Sequence, residues 1–308
     1  MILCCGEALI DMLPRETREG GHAFAPHIGG SVFNSAIALG RLGVPVGFYS
    51  GLSTDLFGTM LREALEESRV DLSRVRFSDL PTTLAFVHLD DGHASYRFYD
   101  ENSAGRMLDA ASLPALEGIS GLLFGGISLV NEPAASAYEA LMARAAKDRV
   151  VMLDPNIRPA FITDADEHRR RLARLVKQAD IVKISVEDLE WLKPNTGTAE
   201  AASQLLEAGC HIVVVTSGGD GARVFLRDEE LHVPAHKVEV VDTVGAGDTF
   251  NAGLLAALHE GGKLGKAEIA SLKGADLSEA LSFAARVAAI TVSRAGANPP
   301  WANELEAA

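Results

Sequence analysis

The feature that most constrains the fold is a regular alternation of short apolar runs with longer amphipathic segments along most of the chain. Each run is rich in Val, Ile and Leu and has the length of a strand buried on both faces, whereas the segments between the runs have the apolar spacing of helices. This alternation predicts a mainly parallel sheet with helices on both faces. The candidate strands are ILCCG, VGFYSG, LLFGG, VVMLD, DIVKIS and HIVVVTSGG.

One stretch, between about residues 13 and 100, departs from the alternation. TLAFVHLD and ASYRFYD flank the turn dipeptide Asp91-Gly92, which predicts a hairpin, and GHAFAPHI is a candidate third strand. Strands without helices between them predict a small β-sheet lid, contributed by roughly residues 13–28 and 84–100, on a single domain spanning residues 1–308. A strand pair, RVFLRD and ELHVPA, and two long helices are predicted to complete the chain.

Charge and composition limit the partners. The 308 residues include 42 acidic and 28 basic side chains, a formal net charge of −14, so nucleic acid and anionic membranes would be repelled. Cys4, Cys5 and Cys210 lack the spacing of a zinc site or a disulfide framework, which is typical of a reducing compartment. The start of the chain lacks the features of a signal peptide, and no run approaches the roughly 20 apolar residues of a membrane span. We therefore expect a cytoplasmic protein with a small diffusible substrate.

The stretch DTVGAGDTF, residues 242–250, places small residues at the start of an apolar helix. We expect the backbone amides of Gly245, Ala246, Gly247 and Asp248 to face the N-terminal opening of that helix, where unpaired N–H groups and the helix dipole attract anions. Asp248 would lie in the first turn, where its carboxylate could take a proton from an attacking hydroxyl. A held anion and a base are what phosphoryl transfer requires. Taken alone, the motif also fits a helix cap with a glycine turn.

The same stretch is part of a wider pattern. DTVGAGDTFNAGLL resembles the C-terminal signature of the PfkB, or ribokinase-like, family of carbohydrate kinases, and GGSVFNSAIALGRLG and GEALIDMLP resemble its N-terminal motifs. The order of elements matches across nearly the whole chain. The resemblance implies an ATP-dependent sugar kinase with a ribokinase-like, Rossmann-type three-layer α/β/α core and a small β-sheet lid. It also implies Mg²⁺ and a homodimer formed through the lid, whose strand edges are exposed.

The resemblance and the strand pattern together predict the sugar site. Asp11 is predicted to end the first strand, at the edge of the sheet where open α/β proteins bind ligands. Arg158, in LDPNIRP, could contact phosphate oxygens, with an ion pair to a neighbouring carboxylate as the alternative. The residues predicted to bind substrate are Asp11, Gly29, Gly30, Asn34, Tyr96, Phe98 and Arg158.

Three further segments are predicted to bind the nucleotide and its ions. VTSGGDGARVF is similar to the family's nucleotide loop, and KISVEDLEWL falls where the family carries Asn-x-x-Glu beside the magnesium shell, with the acidic position at Glu187 or Asp188. RAGANPP and the backbone around Asp242 and Val244 resemble the part of the family that holds a monovalent cation such as K⁺. The residues predicted to bind the nucleotide are Thr216, Gly218, Gly221, Ser185 and Glu187.

The lid is expected to select the sugar. Relatives specific for sugar acids carry an arginine after the lid tyrosine, whereas here Tyr99 is followed by Asp100. A carboxylate there would repel a sugar acid and could accept hydrogen bonds from sugar hydroxyls. We therefore expect a neutral ketohexose, D-fructose phosphorylated at its 6-hydroxyl with Asp248 as base. Arg97 could replace the missing arginine, so 2-keto-3-deoxygluconate or another sugar remains the alternative.

Two rival functions lack support. A dinucleotide-dependent oxidoreductase would need G-x-G-x-x-G after the first strand, and a P-loop enzyme would need G-x-x-x-x-G-K-[ST]; neither motif is present. A non-catalytic sugar sensor would be expected to have lost Asp248, which this chain retains.

Overall fold

A computed structural model of the chain describes residues 1–90 and 93–305. The strands are β1 (Ile2–Cys5), β2 (Leu9–Glu16), β3 (His22–Gly29), β4 (Val46–Tyr49), β5 (Gly51–Ser53), β6 (Arg76–Ser78), β7 (Leu84–Asp90), β8 (His93–Tyr99), β9 (Gly121–Gly125), β10 (Val150–Asp154), β11 (Ile181–Ser185), β12 (Ile212–Thr216), β13 (Ala222–Phe225) and β14 (Glu230–Val233). The helices are α1 (Ser31–Arg41), α2 (Leu56–Glu67), α3 (Ala134–Ala145), α4 (Ala165–Val176), α5 (Val186–Leu192), α6 (Thr198–Ala208), α7 (Ala246–Glu260), α8 (Lys266–Ser271) and α9 (Gly274–Val292).

The central sheet is mixed and has eight strands in the order β14-β13-β12-β11-β10-β9-β1-β4. Strands β4 to β12 in this order are parallel, and β13 and β14 are antiparallel additions at one edge. Along β1 the side chains alternate between two separate cores, because Ile2 and Cys4 pack on one face and Leu3 and Cys5 on the other. A sheet buried on both faces confirms the predicted three-layer α/β/α core.

Each face of the sheet is covered by its own set of helices. Helices α1, α7 and α9 pack on one face, and α3, α4 and α6 pack on the other. α7 and α9 approach so closely that a Cβ atom on Gly253 would lie 2.7 Å from Cα of Ala284. The three cysteines are buried free thiols, as expected from their spacing.

The lid is a second sheet of four strands in the order β3-β2-β7-β8. The predicted hairpin strands are β7 and β8, and the candidate third strand is β3. The predicted turn at Asp91-Gly92 lies outside the described residues. The strand that the sequence analysis did not separate from the core is β2, which pairs with both β3 and β7.

The placement of Asp11 at the end of the first strand is wrong. β1 ends at Cys5, and Asp11 lies inside lid strand β2, opposite His27 of β3. The chain leaves the central sheet at Gly6, where helix α1 is in such close contact that a Cβ would lie 2.4 Å from Cγ2 of Val32. The apolar pattern continues through this break, which is why the two strands could not be told apart from the sequence.

Smaller elements also differ from the prediction. The third sheet is a parallel pair of two short strands, β5 and β6, that was not predicted. The C-terminal region contains the two predicted long helices, α7 and α9, with the short helix α8 between them. Among the described residues, the helices are too short or too polar to cross a lipid bilayer.

The topology determines where a ligand can bind. From β1 the chain first adds β4 on one side and later adds β9 on the other side. Open α/β sheets bind ligands beyond the carboxyl ends of their strands at such a switch point. The segments that follow β1, β9, β10 and β11 all reach this edge, opposite the lid.

Candidate active site

A cleft of about 650 Å³ lies between the lid and the carboxyl edge of the central sheet. The lid contributes Asp11, Tyr96 and Phe98 to its lining, and the N-terminal end of α7 contributes residues 243–248. The polar ends of β10 and β11 lie between these two walls. The fold therefore brings together segments that are more than 200 residues apart in the sequence.

Helix α7 begins at this cleft with unpaired backbone amides. Gly245 is the residue before the helix and has φ 80° and ψ 0°, a left-handed conformation that glycine adopts without strain. The backbone N–H groups of Gly247 and Asp248 contact no acceptor within the described part of the chain. Free N–H groups and the helix dipole make this end of α7 a binding site for an anion.

Asp248 lies in the first turn of α7 and is held from several sides. Its Oδ1 accepts a hydrogen bond from Ser31 Oγ at 2.7 Å, and its Oδ2 accepts one from Asn34 Nδ2 at 2.9 Å. Asn156 Nδ2 approaches Oδ1 at 3.5 Å. Burial raises the pKa of Asp248, while the hydrogen bonds from Asn34 and Ser31 act in the opposite direction. The carboxylate is thus oriented into the cleft and is more basic than an exposed aspartate.

Asn34, predicted to bind sugar, lies on α1 with its side-chain amide on Asp248. Gly30 lines the cleft directly before α1. Gly29 is not among the described residues that line the cleft, but a Cβ there would lie 2.3 Å from Oδ2 of Asp11. Gly29 therefore makes room for the Asp11 carboxylate. Burial raises the pKa of Asp11 to about 6, and the nearby Arg158 guanidinium opposes that rise.

The lid presents aromatic rings to the cleft. The rings of Tyr96 and Phe98 are stacked with centroids 6.2 Å apart, and Phe98 also contacts Phe161 edge-on at 4.8 Å. Arg97 is exposed and is not among the described residues that line the cleft. It follows that Tyr96 and Phe98 form an apolar wall from which Arg97 points away, as the alternation along a strand requires.

The expectation that Asp100 faces the sugar is wrong. Its carboxylate accepts hydrogen bonds from Thr83 Oγ1 at 3.1 Å, Ser103 Oγ at 3.2 Å and Asn131 Nδ2 at 3.1 Å, and it pairs with Arg106 at 3.8 Å. It is not one of the described residues that line the main cleft. Asp100 therefore anchors the base of the lid, and the sequence comparison could not separate this role from contact with a ligand.

The segment after β11 places its polar residues along the cleft. Ser185 Oγ accepts a hydrogen bond from the Asp188 N–H at 3.0 Å, so its hydroxyl caps α5. Glu187 is exposed, whereas Asp188 accepts the Ile157 N–H at 3.1 Å. Burial raises the pKa of Asp188 to about 6. Glu187 and Asp188 thus both reach the cleft, with Glu187 the more accessible to solvent.

The predicted nucleotide loop continues the same edge of the sheet. Thr216 ends β12 and pairs in register with Ser185 of β11, so it lies one strand beyond the cleft lining. Gly218 has φ 51° in the turn that follows. A Cβ on Gly221 would lie 2.1 Å from the carbonyl oxygen of Val233, so backbone packing in the β13–β14 hairpin already requires this glycine.

The predicted cation segment is a junction between two loops. Asp242 Oδ1 accepts the Val244 N–H at 3.0 Å, and its Oδ2 accepts the Gly296 N–H at 2.9 Å. The Val241 and Asp242 N–H groups both donate to the carbonyl oxygen of Val292, at 2.8 and 3.1 Å. The carboxylate of Asp242 therefore joins the loop before α7 to the segment after α9.

Two charged residues of the cleft were not singled out from the sequence. Lys183 lies on β11, and Glu7 follows β1. Glu7 is 8 % exposed, and its carboxylate accepts the Ser31 N–H at 2.9 Å and the Ser128 N–H at 3.4 Å. Each residue interrupts an apolar strand pattern, and that interruption is the sequence signal that could have identified them.

Glu7 gives a testable pH dependence. Burial raises its pKa to about 7, so ionisation is less favourable in the folded protein than in the unfolded chain, and stability is lost as the pH rises from about 4.5 towards 7. We expect Glu7→Gln to gain about 2 kcal/mol in unfolding free energy relative to wild type between pH 5 and pH 8, measured by urea denaturation. Glu207→Gln, at an exposed position, is the control. Identical pH profiles for Glu7→Gln and wild type would show that Glu7 titrates normally.

The arrangement has the parts of a phosphotransferase that acts on a hydroxyl. A buried carboxylate, a helix opening suited to phosphate and a lidded cleft lie within one site. The model of the pfkB family of carbohydrate kinases matches residues 1–304, and the chain belongs to this family.

Named relatives and solved structures agree with this assignment. A fructokinase of Rhizobium leguminosarum bv. trifolii is 50 % identical over 273 residues, which cover 88 % of this chain and 84 % of that protein. The structure of a fructokinase with bound ATP from Xylella fastidiosa superposes with a TM-score of 0.92 at 30 % identity and covers 99 % of this chain and 97 % of that one. A Vibrio cholerae O395 fructokinase in a form with bound fructose, ADP and calcium ion has a TM-score of 0.86 at 27 % identity, with coverage of 99 % and 97 %.

Proposed function

We propose that the chain is one kinase domain that transfers the γ-phosphoryl group of ATP to the 6-hydroxyl of D-fructose. The observation that carries this proposal is the Asp248 carboxylate, oriented by Ser31 and Asn34 beside the free amides of α7. The similarity to fructokinases supports the choice of sugar.

In the proposed reaction Asp248 acts as the general base. It takes the proton of the 6-hydroxyl as the sugar oxygen forms its bond to the γ-phosphorus and the bond to the β,γ-bridging oxygen breaks. The amides of Gly247 and Asp248 donate to the phosphoryl oxygens on which charge accumulates. ADP then leaves, and the proton passes from Asp248 to solvent.

The charges of the cleft favour a neutral sugar. Three carboxyl groups, those of Glu7, Asp11 and Asp248, line the part of the cleft that includes the lid. Carboxyl groups can accept hydrogen bonds from sugar hydroxyls, but they would repel the carboxylate of a sugar acid. This argument replaces the one based on Asp100, and it leads to the same substrate.

The acidic residues beyond Asp248 fit a magnesium ion that keeps most of its water. Within the described part of the chain, no group of three or more His, Cys, Asp or Glu side chains forms a cage for a metal. Glu187 and Asp188 would hold the ion through water molecules and the nucleotide phosphates, as is usual for Mg²⁺. When bound, the ion neutralises part of the phosphate charge.

Three further proposals rest on the resemblance and on local geometry. Thr216, Gly218 and Gly221 would accompany the nucleotide along the sheet edge. K⁺ would be held by backbone carbonyls near Asp242 and Val244, and replacement of K⁺ by tetramethylammonium in the assay tests this site. As a cytoplasmic enzyme, the protein would have a location to be checked by cell fractionation.

We also propose a homodimer through the outer face of the lid. Phe24, Phe86 and Tyr99 form a row of edge-to-face rings with centroids 4.9 and 5.4 Å apart, on the face away from the cleft. Phe24 is 46 % exposed and Tyr99 is 51 % exposed. Exposed aromatic rows of this kind are typical of protein contacts. Light scattering at several concentrations tests this proposal, and a monomer throughout would contradict it.

The substrate is tested by comparing kcat/KM for fructose and for 2-keto-3-deoxygluconate in an assay coupled to ADP release. We expect fructose to be preferred by about 10²-fold or more, because the acid must bring its carboxylate against three carboxyl groups. Phosphorus NMR of the product should show coupling to the protons on carbon 6. Preference for the acid would reject the proposed substrate, although the enzyme would still be a sugar kinase.

A further inference from the structure

Lys183 is a buried cation next to the opening of α7. It lies on β11 between the buried residues Val182 and Ile184, and it is itself only 5 % exposed. Charged side chains are rarely buried to this extent unless they are paired. Lys183 nevertheless lines the cleft, so its charged end reaches the site rather than the apolar core.

A buried network fixes the position of the Lys183 ammonium group. Its Nζ donates to Oδ2 of Asp154 at 3.0 Å, and the same oxygen accepts Nδ2 of Asn251 at 2.7 Å. The other oxygen of Asp154 accepts the Asn156 N–H at 3.2 Å. Asp154 is 2 % exposed and Asn251 is 1 % exposed. A lysine side chain is flexible, and this network restricts it to one position before any ligand binds.

The position that results is beside the anion site. A Cβ atom built on Gly247 would lie only 2.6 Å from Nζ of Lys183. Gly247 is also one of the two residues whose free N–H groups face the opening of α7. An ammonium group has three N–H donors, and within the described residues only Asp154 accepts a hydrogen bond from this one. Two donors therefore remain for a ligand.

We propose that Lys183 donates to the γ-phosphoryl group of the nucleotide, held ready by Asp154 and Asn251. This inference rests on the proposed function and adds a charged donor to the amides of Gly247 and Asp248. Negative charge on the phosphoryl oxygens would meet a fixed cation in a site that excludes much of the solvent, where such contacts are strong. Lys183 also favours the ionised form of Asp248, because a nearby positive charge opposes the rise in the pKa of that carboxyl group.

The alternative is that Lys183 only forms a structural ion pair with Asp154. Removal of either kind of lysine would destabilise the protein, because a buried carboxylate would lose its partner. The two explanations differ in their consequences for the γ-phosphate. A structural pair gives no preference for a nucleotide that carries this group, whereas a phosphate donor does.

The test is a calorimetric titration of wild type and of Lys183→Met with ADP and with a non-hydrolysable ATP analogue. We expect Lys183→Met to bind ADP as wild type does and to lose about tenfold of the affinity that depends on the γ-phosphate. Its kcat with fructose should fall by about 10²-fold or more, with the fructose KM little changed. The titration needs no sugar, so its outcome is independent of whether fructose is the substrate.

Lys266→Met is the matched control. Lys266 Nζ pairs with the buried Asp180 at 2.8 Å, and neither residue is among the described residues that line the cleft. The control should show a similar loss of stability with nucleotide affinity and kcat unchanged. If Lys183→Met does not fold, Lys183→Gln, which can still donate to Asp154, is titrated in its place. Retention of the full γ-phosphate dependence by the folded variant would overturn the proposal, whatever happens to kcat.

Discussion

Asp248→Asn is expected to reduce kcat for sugar phosphorylation by about 10²- to 10⁴-fold while ATP binding is retained, because the amide keeps the shape of the side chain but cannot accept the proton. The hydrogen bond from Ser31 Oγ at 2.7 Å can be kept by the amide oxygen. The second contact, to Asn34 Nδ2, requires Asn34 to turn its side-chain oxygen towards the new NH₂ group. Turnover is measured by coupled ADP release and ATP affinity by calorimetry.

The control for this variant is Asp228→Asn, the same chemical change at an exposed position. It should leave both measurements unchanged. Since the variant has no titratable group at position 248, higher pH should not restore its activity. Near wild-type turnover by Asp248→Asn would mean that another group is the base, and Glu7 would be the next candidate because its carboxyl group also lines the cleft.

Gly247→Val is expected to have an effect of similar size, through space rather than charge. A Cβ atom at this position would lie 2.6 Å from Nζ of Lys183 and would occupy the opening where the phosphoryl group is proposed to bind. Loss of an anion-stabilising contact typically costs about 10²- to 10³-fold in kcat. We expect kcat to fall within that range, with the affinity for sugar in the absence of nucleotide little changed.

Gly197→Val provides a matched control, since Gly197 also directly precedes a helix. A Cβ atom there has no neighbour within 4 Å, so the valine adds the same bulk without a clash. The control should retain wild-type kcat. If Gly247→Val weakened sugar binding as much as it weakened turnover, the cause would be a general distortion of the site and not a blocked phosphate position.

The local parts of the site could be predicted because they lie within one short segment. Small residues followed by an aspartate and an apolar helix dictate an anion-binding helix start with a carboxylate in its first turn, and Gly245 and Asp248 occupy those positions. Tyr96 and Phe98 share the cleft face of the lid for an equally local reason, the alternation of side chains along a strand.

The predictions that failed depended on contacts between distant segments. Asp11 was assigned to the wrong strand because the apolar pattern does not reveal the break at Gly6, which α1 imposes. Asp100 was assigned to the sugar, whereas Thr83, Ser103 and Asn131 bind its carboxylate at the base of the lid. A carboxylate that can accept hydrogen bonds from sugar can accept them equally well from protein groups, and the sequence does not say which are near.

By itself the sequence determined the layered α/β fold, the kinase family and the base at Asp248, because hydrophobic periodicity and one contiguous motif are local properties of the chain. Only the tertiary structure placed the Lys183 ammonium next to Gly247 and the Glu7 carboxyl group against the start of α1. Both positions result from strands that meet at one edge of the sheet, where residues far apart in the chain share a small volume. The charges that act on a substrate add up within that volume, and the order of residues along the chain does not reveal their distances.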